Sequence, residues 1–337
     1  MEFLFEYGYF LLKTMTIVIL IFVPIFLIIS SMRQEQDSGE SLKIKNLTKR
    51  YEAMANSIKA LTMTKDEKKK LKKSLKKEKK NTPKTKKKPV YVLNFDGDID
   101  ASNVANLKEE INAILQSETK CEEIVLNLES AGGTVIGYGL AAAQLQRIRD
   151  AGINLTACVD KIAASGGYMM ACVANKIVSA PFAIIGSIGV VAAIPNFHKI
   201  LKKNDIDYEL HTAGEYKRTI TTFGETTDEG RKKFKEDLHD IHELFKEHVS
   251  KFRPSLDISK VATGEIWEGS KALEVGLIDS ISTSDEYLMN FAKKHEVYEI
   301  RFEPKKKIQD KLSRFLSVLL RDSIRTIEDT FNKNKFK

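Results

Sequence analysis

Cysteine is scarce in this chain: Cys121, Cys158 and Cys172 are three in 337 residues, and no two of them form a CxxC pair. An odd number at that spacing points to neither a disulfide framework nor a zinc site, and leaves the thiols as small apolar packing groups. No His/Cys/Asp cluster has metal-ligand spacing, so no metal is expected. The glycine pairs do not fit GxxxxGK followed by Ser or Thr, so there is no phosphate-binding loop, and no cofactor is indicated.

Excess charge of one sign is also missing, except in one place. Residues 65–88 hold fourteen lysines against Asp66, Glu67 and Glu78, a net +11. The whole chain carries +8, so the remainder carries −3. Basicity is therefore local, and no aromatic residue interleaves the tract as a stacking platform would require, so nucleic acid is not an expected partner. The tract reads as a solvated tether, with attraction to anionic lipid headgroups as a second reading.

At the N-terminus, eighteen residues from Met15 to Met32 carry no charge and Phe10-Leu11-Leu12 extends the apolar pattern. That length spans a bilayer. The charged start and small-residue cleavage site of a signal peptide are absent, so the segment reads as an uncleaved single-pass anchor. Arg33, Lys43, Lys45, Lys49 and Arg50 follow the span while Glu2 and Glu6 precede it, and this distribution by itself places the C-terminal bulk in the cytoplasm.

Beyond the tract the pattern is α/β. Strand-like runs at 90–95, 122–128, 153–159, 175–179, 184–191 and 207–212 alternate with helical patterns at 101–116, 136–150, 165–174 and 195–203, and Gly152 is placed to stop the second helix. In the run Asp160-Lys161-Ile162-Ala163-Ala164-Ser165-Gly166-Gly167-Tyr168, one hydroxyl stands between an apolar strand and two glycines that open a helix. Backbone N–H groups and the helix dipole there favour developing negative charge. Taken alone, Ser165 reads equally as an N-cap. A second strand, Gly-Gly turn and helix precede it, Glu129-Ser130-Ala131-Gly132-Gly133-Thr134-Val135, and two such turns side by side aim N–H groups at one point.

A nucleophilic serine needs a base. The six histidines are poor candidates: His239, His242 and His248 sit on a charged helical stretch over 227–250, and only His211 lies near apolar strand sequence. Lys217, in Thr212-Ala213-Gly214-Glu215-Tyr216-Lys217-Arg218, follows a strand and a glycine turn. About one lysine in a few thousand is neutral at pH 7, so a base role requires the site to lower that pKa by roughly three pH units through burial. Ser187, in Ile185-Gly186-Ser187-Ile188-Gly189-Val190, is a hydroxyl suited to hold such an amine. The alternative for Lys217 is a surface loop residue.

In order and spacing, the D-K-x-A-A-S-G-G-Y-M run, the S-x-G-G turn, the G-S-I-G-V segment and G-x-Y-K-R resemble the signal peptide peptidase A (protease IV) family of Ser-Lys proteases, most closely its SohB branch. The resemblance runs from about Val90 to Phe302. It implies Ser165 as nucleophile, Lys217 as base, Ser187 as the residue that orients the lysine, and Gly132, Gly133 and Gly166 as oxyanion donors. Ala131 stands where the family usually has proline, so the turn is less restricted in φ. The implied fold is a ClpP/crotonase-like spiral of repeated ββα units behind a transmembrane helix. The implied activity is a membrane-anchored endopeptidase acting on signal-peptide remnants or unfolded segments, as a homo-oligomer whose sites are shared between protomers. Its implied place is the bacterial inner membrane with the catalytic domain on the periplasmic side, opposite to the charge reading.

The expected organisation is an anchor over 1–32, a polar and Lys-rich tether over 33–88, the protease domain over 89–303 and an amphipathic helix over 304–337. Phe234, Leu238, Ile241, Leu244 and Phe245 form an apolar stripe on the charged helix, with core packing as the default reading. Two rivals stand beside the protease: a catalytically silent scaffold of the same fold, and an acyl-CoA enzyme, for which Glu129 is the nearby acidic residue.

Overall fold

A computed structural model describes residues 7–16, 18, 41–69 and 88–303, which fall into two compact units: residues 1–42 with 302–337, and residues 43–301. In the first, residues 7–16 are helical. Among the described residues no helix is long and apolar enough to cross a membrane. The expected anchor over 1–32 lies outside the described residues except at 7–16 and 18, as do positions 70–87 of the lysine tract and the expected helix over 304–337.

The elements run β1 (Ser41–Asn46), α1 (Leu47–Thr62), β2 (Val90–Gly97), α2 (Val104–Gln116), β3 (Glu123–Ser130), α3 (Val135–Asp150), β4 (Leu155–Val159), β5 (Ile162–Ala164), α4 (Gly166–Ala171) and β6 (Lys176–Ser179). They continue with β7 (Ile184–Gly186), α5 (His198–Lys203), α6 (Asp228–Phe252), α7 (Ile258–Val261), β8 (Ile266–Glu268), α8 (Gly269–Glu274), β9 (Ser280–Ile281), α9 (Ser284–Ala292) and β10 (Val297–Glu303). The strand order is β1-β10-β2-β3-β4-β6-β9, and the pairings from β10 to β9 are parallel. A short branch leaves it: β5 pairs β3 and β7 in parallel, and β8 closes the branch antiparallel to β7.

Both faces of the main sheet are covered, which is what a parallel sheet requires. Along β2, Leu93 and Phe95 point into a core shared with Ile111, Tyr138, Leu145 and Met170, while Val90 and Val92 point to the opposite face with Leu47, Val125, Cys158 and Leu288. This alternation follows from the two-residue side-chain period of a strand. At its C-terminus α3 stops as the sequence indicates: Gly152 has φ +71°, its N–H donates to Arg149 O at 2.9 Å, and Ile153 N–H donates to Ile148 O at 3.2 Å. Those two bonds close the left-handed helix cap that glycine favours.

Three expectations are corrected. Residues 41–62, expected in the tether, form β1 and α1. Leu47 is buried, the Thr48 hydroxyl accepts from Val297 N at 2.9 Å, and Asn46 Nδ2 donates to Glu296 at 2.7 Å, so the folded unit takes in residues 43–62. The run 207–212 is not a strand: residues 206–226 are irregular, and Tyr208 and Leu210 stay exposed because no strand lies beside them. The strand at 184 ends at Gly186 instead of 191, because Ser187 takes φ +53° and breaks the pleat. Sequence patterning also missed β5, β8, β9 and β10, three of which are two or three residues long.

Helix α6 docks through buried Phe245 and Val249, and His248 Nε2 donates to Met169 O at 3.0 Å. Burial, with a smaller contribution from Lys251, lowers the His248 pKa despite that hydrogen bond. Since the unfolded chain then holds more protons than the folded one as pH drops below about 6.5, this residue reduces stability on acidification and is neutral in effect above that pH. Denaturant titrations from pH 7.5 to 5 should show His248→Gln losing part of the acid-side decline seen in the parent protein.

Candidate active site

The strands β3, β5 and β7 lie side by side and parallel, with Ser130 opposite Ala163 and Ala164 opposite Gly186. The next residues after β5 and β7 are Ser165 and Ser187, so register alone brings those two hydroxyl residues to neighbouring strand ends, about 5 Å apart in the strand-pairing direction. Ser165 has φ +53° and ψ −119°, a conformation that costs a non-glycine residue about 1–3 kcal/mol. The surroundings impose it. Ser165 N–H donates to Gly186 O at 2.8 Å, and its own carbonyl accepts from Met169 N at 2.9 Å at the start of α4.

The motif residues around it act as anchors. Asp160 accepts from the backbone N–H of Ser284 at 2.8 Å and from its hydroxyl, which holds the β4–β5 turn. Tyr168 is fully buried and donates to Leu277 O at 2.8 Å, fixing α4 from below. Lys161 pairs with both oxygens of Glu129 at 2.8 and 2.9 Å on the exposed surface, so Glu129 is engaged outside the cleft.

Ser165 does not cap α4 with its side chain, and its hydroxyl makes no hydrogen bond among the described residues. The N-cap reading therefore fails, and what remains is a strained serine at a strand-to-helix turn with its Oγ uncommitted. Gly166, the first residue of α4, has an N–H without an intrahelical partner.

The Gly132-Gly133 turn is pressed onto this peptide. Gly132 has φ +90°, and a Cβ there would stand 2.7 Å from both Gly166 N and Ser165 Cβ. Its N–H donates to Ser130 Oγ at 3.0 Å. That bond commits Gly132, whereas the Gly133 N–H has no hydrogen bond among the described residues. Gly133, Ser165 and Gly166 then line one cleft of about 290 Å³ together with Thr134, Val135, Met169, Gly189, Val190, Val191, Leu238, Ile241 and Phe245.

Leu238, Ile241 and Phe245 come from one face of α6 and were legible as part of a helical stripe, but not as cleft lining. Leu244, assigned to the same stripe, points out to solvent. Ser187 is half-buried, with φ +53° and its N–H donating to Glu265 O at 2.7 Å. Lys217 is not among the residues that line this cleft: it lies exposed in the irregular 206–226 segment, with its backbone N–H donating to Gly214 O at 3.2 Å. Four of the six histidines have other partners. His211 faces Glu209 in the open, His239 faces Glu243, and His242 and His248 bond the carbonyls of Ile188 and Met169. Burial raises the thiol pKa of Cys158 and Cys172 far above the ordinary value, which suits packing groups. Among the described residues no group of His, Cys, Asp or Glu could hold a metal ion.

The strained, uncommitted serine lies between two glycine turns on a mixed α/β sheet, and comparison with known proteins places the chain among the serine peptidases. The description "Peptidase family S49 N-terminal" matches residues 2–145, and "Peptidase family S49" matches residues 147–298. The chain is 46% identical over 327 residues to the Probable protease SohB of Haemophilus influenzae, covering 91% of each. It is 49% identical over 304 residues to the Probable protease SohB of Buchnera aphidicola subsp. Schlechtendalia chinensis, covering 86% of this chain and all of that one. A solved structure of the 1510-N membrane-bound stomatin-specific protease overlaps 68% of this chain at 16% identity and a TM-score of 0.42, too loose a match to bear on the site. The chain belongs to peptidase family S49, in its SohB branch.

Because an alanine methyl at position 132 would need a left-handed backbone and would collide with the Gly166 peptide, Gly132→Ala should lower peptide hydrolysis about a hundredfold or more. Circular dichroism should stay close to that of the parent, since the turn is at the surface.

Proposed function

We propose that the chain is a membrane-anchored endopeptidase in which Ser165 is the nucleophile and Lys217 the general base, acting on peptides or unfolded segments, including signal-peptide remnants. The observation that carries this reading is the Ser165 hydroxyl, held by a strained backbone at the floor of a cleft and engaged in no capping bond. In the proposed cycle, neutral Lys217 takes the Ser165 proton as Oγ attacks the scissile carbonyl, and the N–H groups of Gly133 and Gly166 receive the oxyanion. The lysine then protonates the leaving amine and activates the water that releases the acyl group. Ser187, one strand over from Ser165, is assigned to orient the amine.

Lys217 is exposed in the single chain, so this cycle needs a second protomer to carry a lysine to each serine and exclude water there. The proposal therefore includes a homo-oligomer with shared sites. It also reads the β4-β5-α4 and β6-β7 order, with its short branch, as the ClpP/crotonase-like spiral. Anchoring in the bacterial inner membrane is assigned to residues 15–32, and the domain limits stay as expected except for residues 43–62. No observation favours the scaffold, and the pairing of Glu129 with Lys161 argues against the acyl-CoA chemistry.

Labelling by a fluorophosphonate probe should be present in the parent and absent in Ser165→Ala, and both Ser165→Ala and Lys217→Ala should lose at least about a thousandfold in hydrolysis. Mixed oligomers of the two inactive variants should recover partial activity. A Lys217→Ala protein that kept most of its activity would end the Ser-Lys assignment.

The apolar wall of Met169, Leu238, Ile241 and Phe245 favours an apolar side chain before the scissile bond. Narrowing it with Leu238→Trp should cut kcat/KM for leucine relative to alanine at that position by about tenfold or more, measured on paired fluorogenic peptides.

A further inference from the structure

Two buried hydroxyl groups close to the nucleophile have no part in the proton transfers above. Tyr138 is fully buried one turn into α3, and Ser130, at the end of β3, is 2% exposed. Tyr138 Oη donates to Asp98 O at 2.7 Å. A phenol has one proton, so in its contact with Ser130 Oγ the serine is the donor. Ser130 Oγ in turn accepts from Gly132 N–H at 3.0 Å. A directed chain results, from Gly132 N–H through Ser130 and Tyr138 to the Asp98 carbonyl, in which each hydroxyl donates once and accepts once. Burial raises the Tyr138 phenol pKa, so its proton stays in place at any working pH.

The ring of the same tyrosine lies against the other glycine turn. A Cβ on Gly166 would stand 2.4 Å from Tyr138 Cγ and 2.6 Å from Cδ2. The ring also sits edge-on against Phe95 in the core, with centroids 6.4 Å apart. A Cβ on Gly97 would come within 2.5 Å of both Ser130 Oγ and Tyr138 Oη, so the polar chain is sealed on that side.

We propose that Tyr138 is a positioning residue that sets both oxyanion donors at once, its ring seating the Gly166 peptide and its hydroxyl, through Ser130, turning the Gly132 N–H inward so that the Gly133 N–H faces the cleft. The proposal rests on Ser165 as nucleophile. It also accounts for Ala131: without a proline ring to restrict φ, the turn takes its orientation from the bond to Ser130. Loss of the Tyr138 hydroxyl leaves the Ser130 proton without its acceptor. Ser130 then rotates to another partner, and the Gly132-Gly133 peptide loses its fixed direction.

The test is Tyr138→Phe in the full chain, which keeps the ring against Gly166. The expected result is a kcat about ten- to a hundredfold lower with KM within about twofold, and a peptide boronate, which mimics the tetrahedral oxyanion, weakened by the same factor as kcat/KM. Ser130→Ala should do the same, and the double variant should lose no more than the larger single effect, because both act through one chain. Should Tyr138→Phe fail to fold, Ser130→Ala, which leaves the Tyr138–Asp98 bond intact, carries the same kinetic and boronate comparison. Parental kcat in folded Tyr138→Phe, a loss confined to KM, or losses that multiply in the double variant would each overturn the proposal. Failure of the underlying reading looks different: activity that survives Ser165→Ala removes the nucleophile, whereas activity that survives Tyr138→Phe removes only the brace.

Discussion

The hydrogen bond from Ser165 N–H to Gly186 O is the contact on which the site depends. It continues the β5–β7 pairing one residue past the end of β5, and so holds Ser165 at φ +53° where an L-residue would otherwise relax. A strained turn of this kind persists only when its surroundings over-determine it. Here they do: Ser165 O accepts from Met169 N, Tyr168 is tied to Leu277 O, and Gly132 and Gly166 leave no room for a Cβ. The strain keeps the Oγ out of the capping position and in the cleft.

The glycines and buried hydroxyls around this turn form one mechanical unit. Gly132 is glycine because its backbone is left-handed and a neighbouring peptide is 2.7 Å from where its Cβ would be; Gly166 is glycine because the Tyr138 ring occupies that place. Charge is kept out of this unit: Glu129 and Lys161 pair on the outer surface, and Asp160 is taken up by Ser284. The peptides of Gly133 and Gly166 therefore border the cleft beside Ser165 without a charged side chain among its lining residues.

Helix α6 links the site to the rest of the chain. Its Leu238, Ile241 and Phe245 wall the cleft while His242 and His248 tie it to the carbonyls of Ile188 and Met169. Its opposite face is charged and solvated. A single helix thus gives the pocket its apolar wall and fixes the distance between the segment after β7 and α4.

Much of the fold was legible from side-chain periodicity. The long strands and helices from β2 to α4 were read to within a few residues, because burial on both sheet faces leaves apolar runs of the right length, and Gly152 marked its helix end. The glycine turns and Ser165 stood out through their pairing, since a single Gly-Gly turn between a strand and a helix is a common connector. Short strands such as β5 and β8 were not, since two or three residues hold no period, and neither was β1, whose place depends on the distant β10.

The amino-acid order by itself determined which residues are chemically able to act: a serine beside glycines, a second serine after a parallel strand, and a lysine on a glycine turn. Only the tertiary structure decided which of their groups are available. It committed the Gly132 N–H to Ser130, freed the Ser165 hydroxyl from capping, made α6 the cleft wall and left Lys217 exposed in the single chain. The physical reason is that hydrogen-bond partners and steric exclusion come from residues far apart in the chain, and which strands pair across the long connections sets who meets whom.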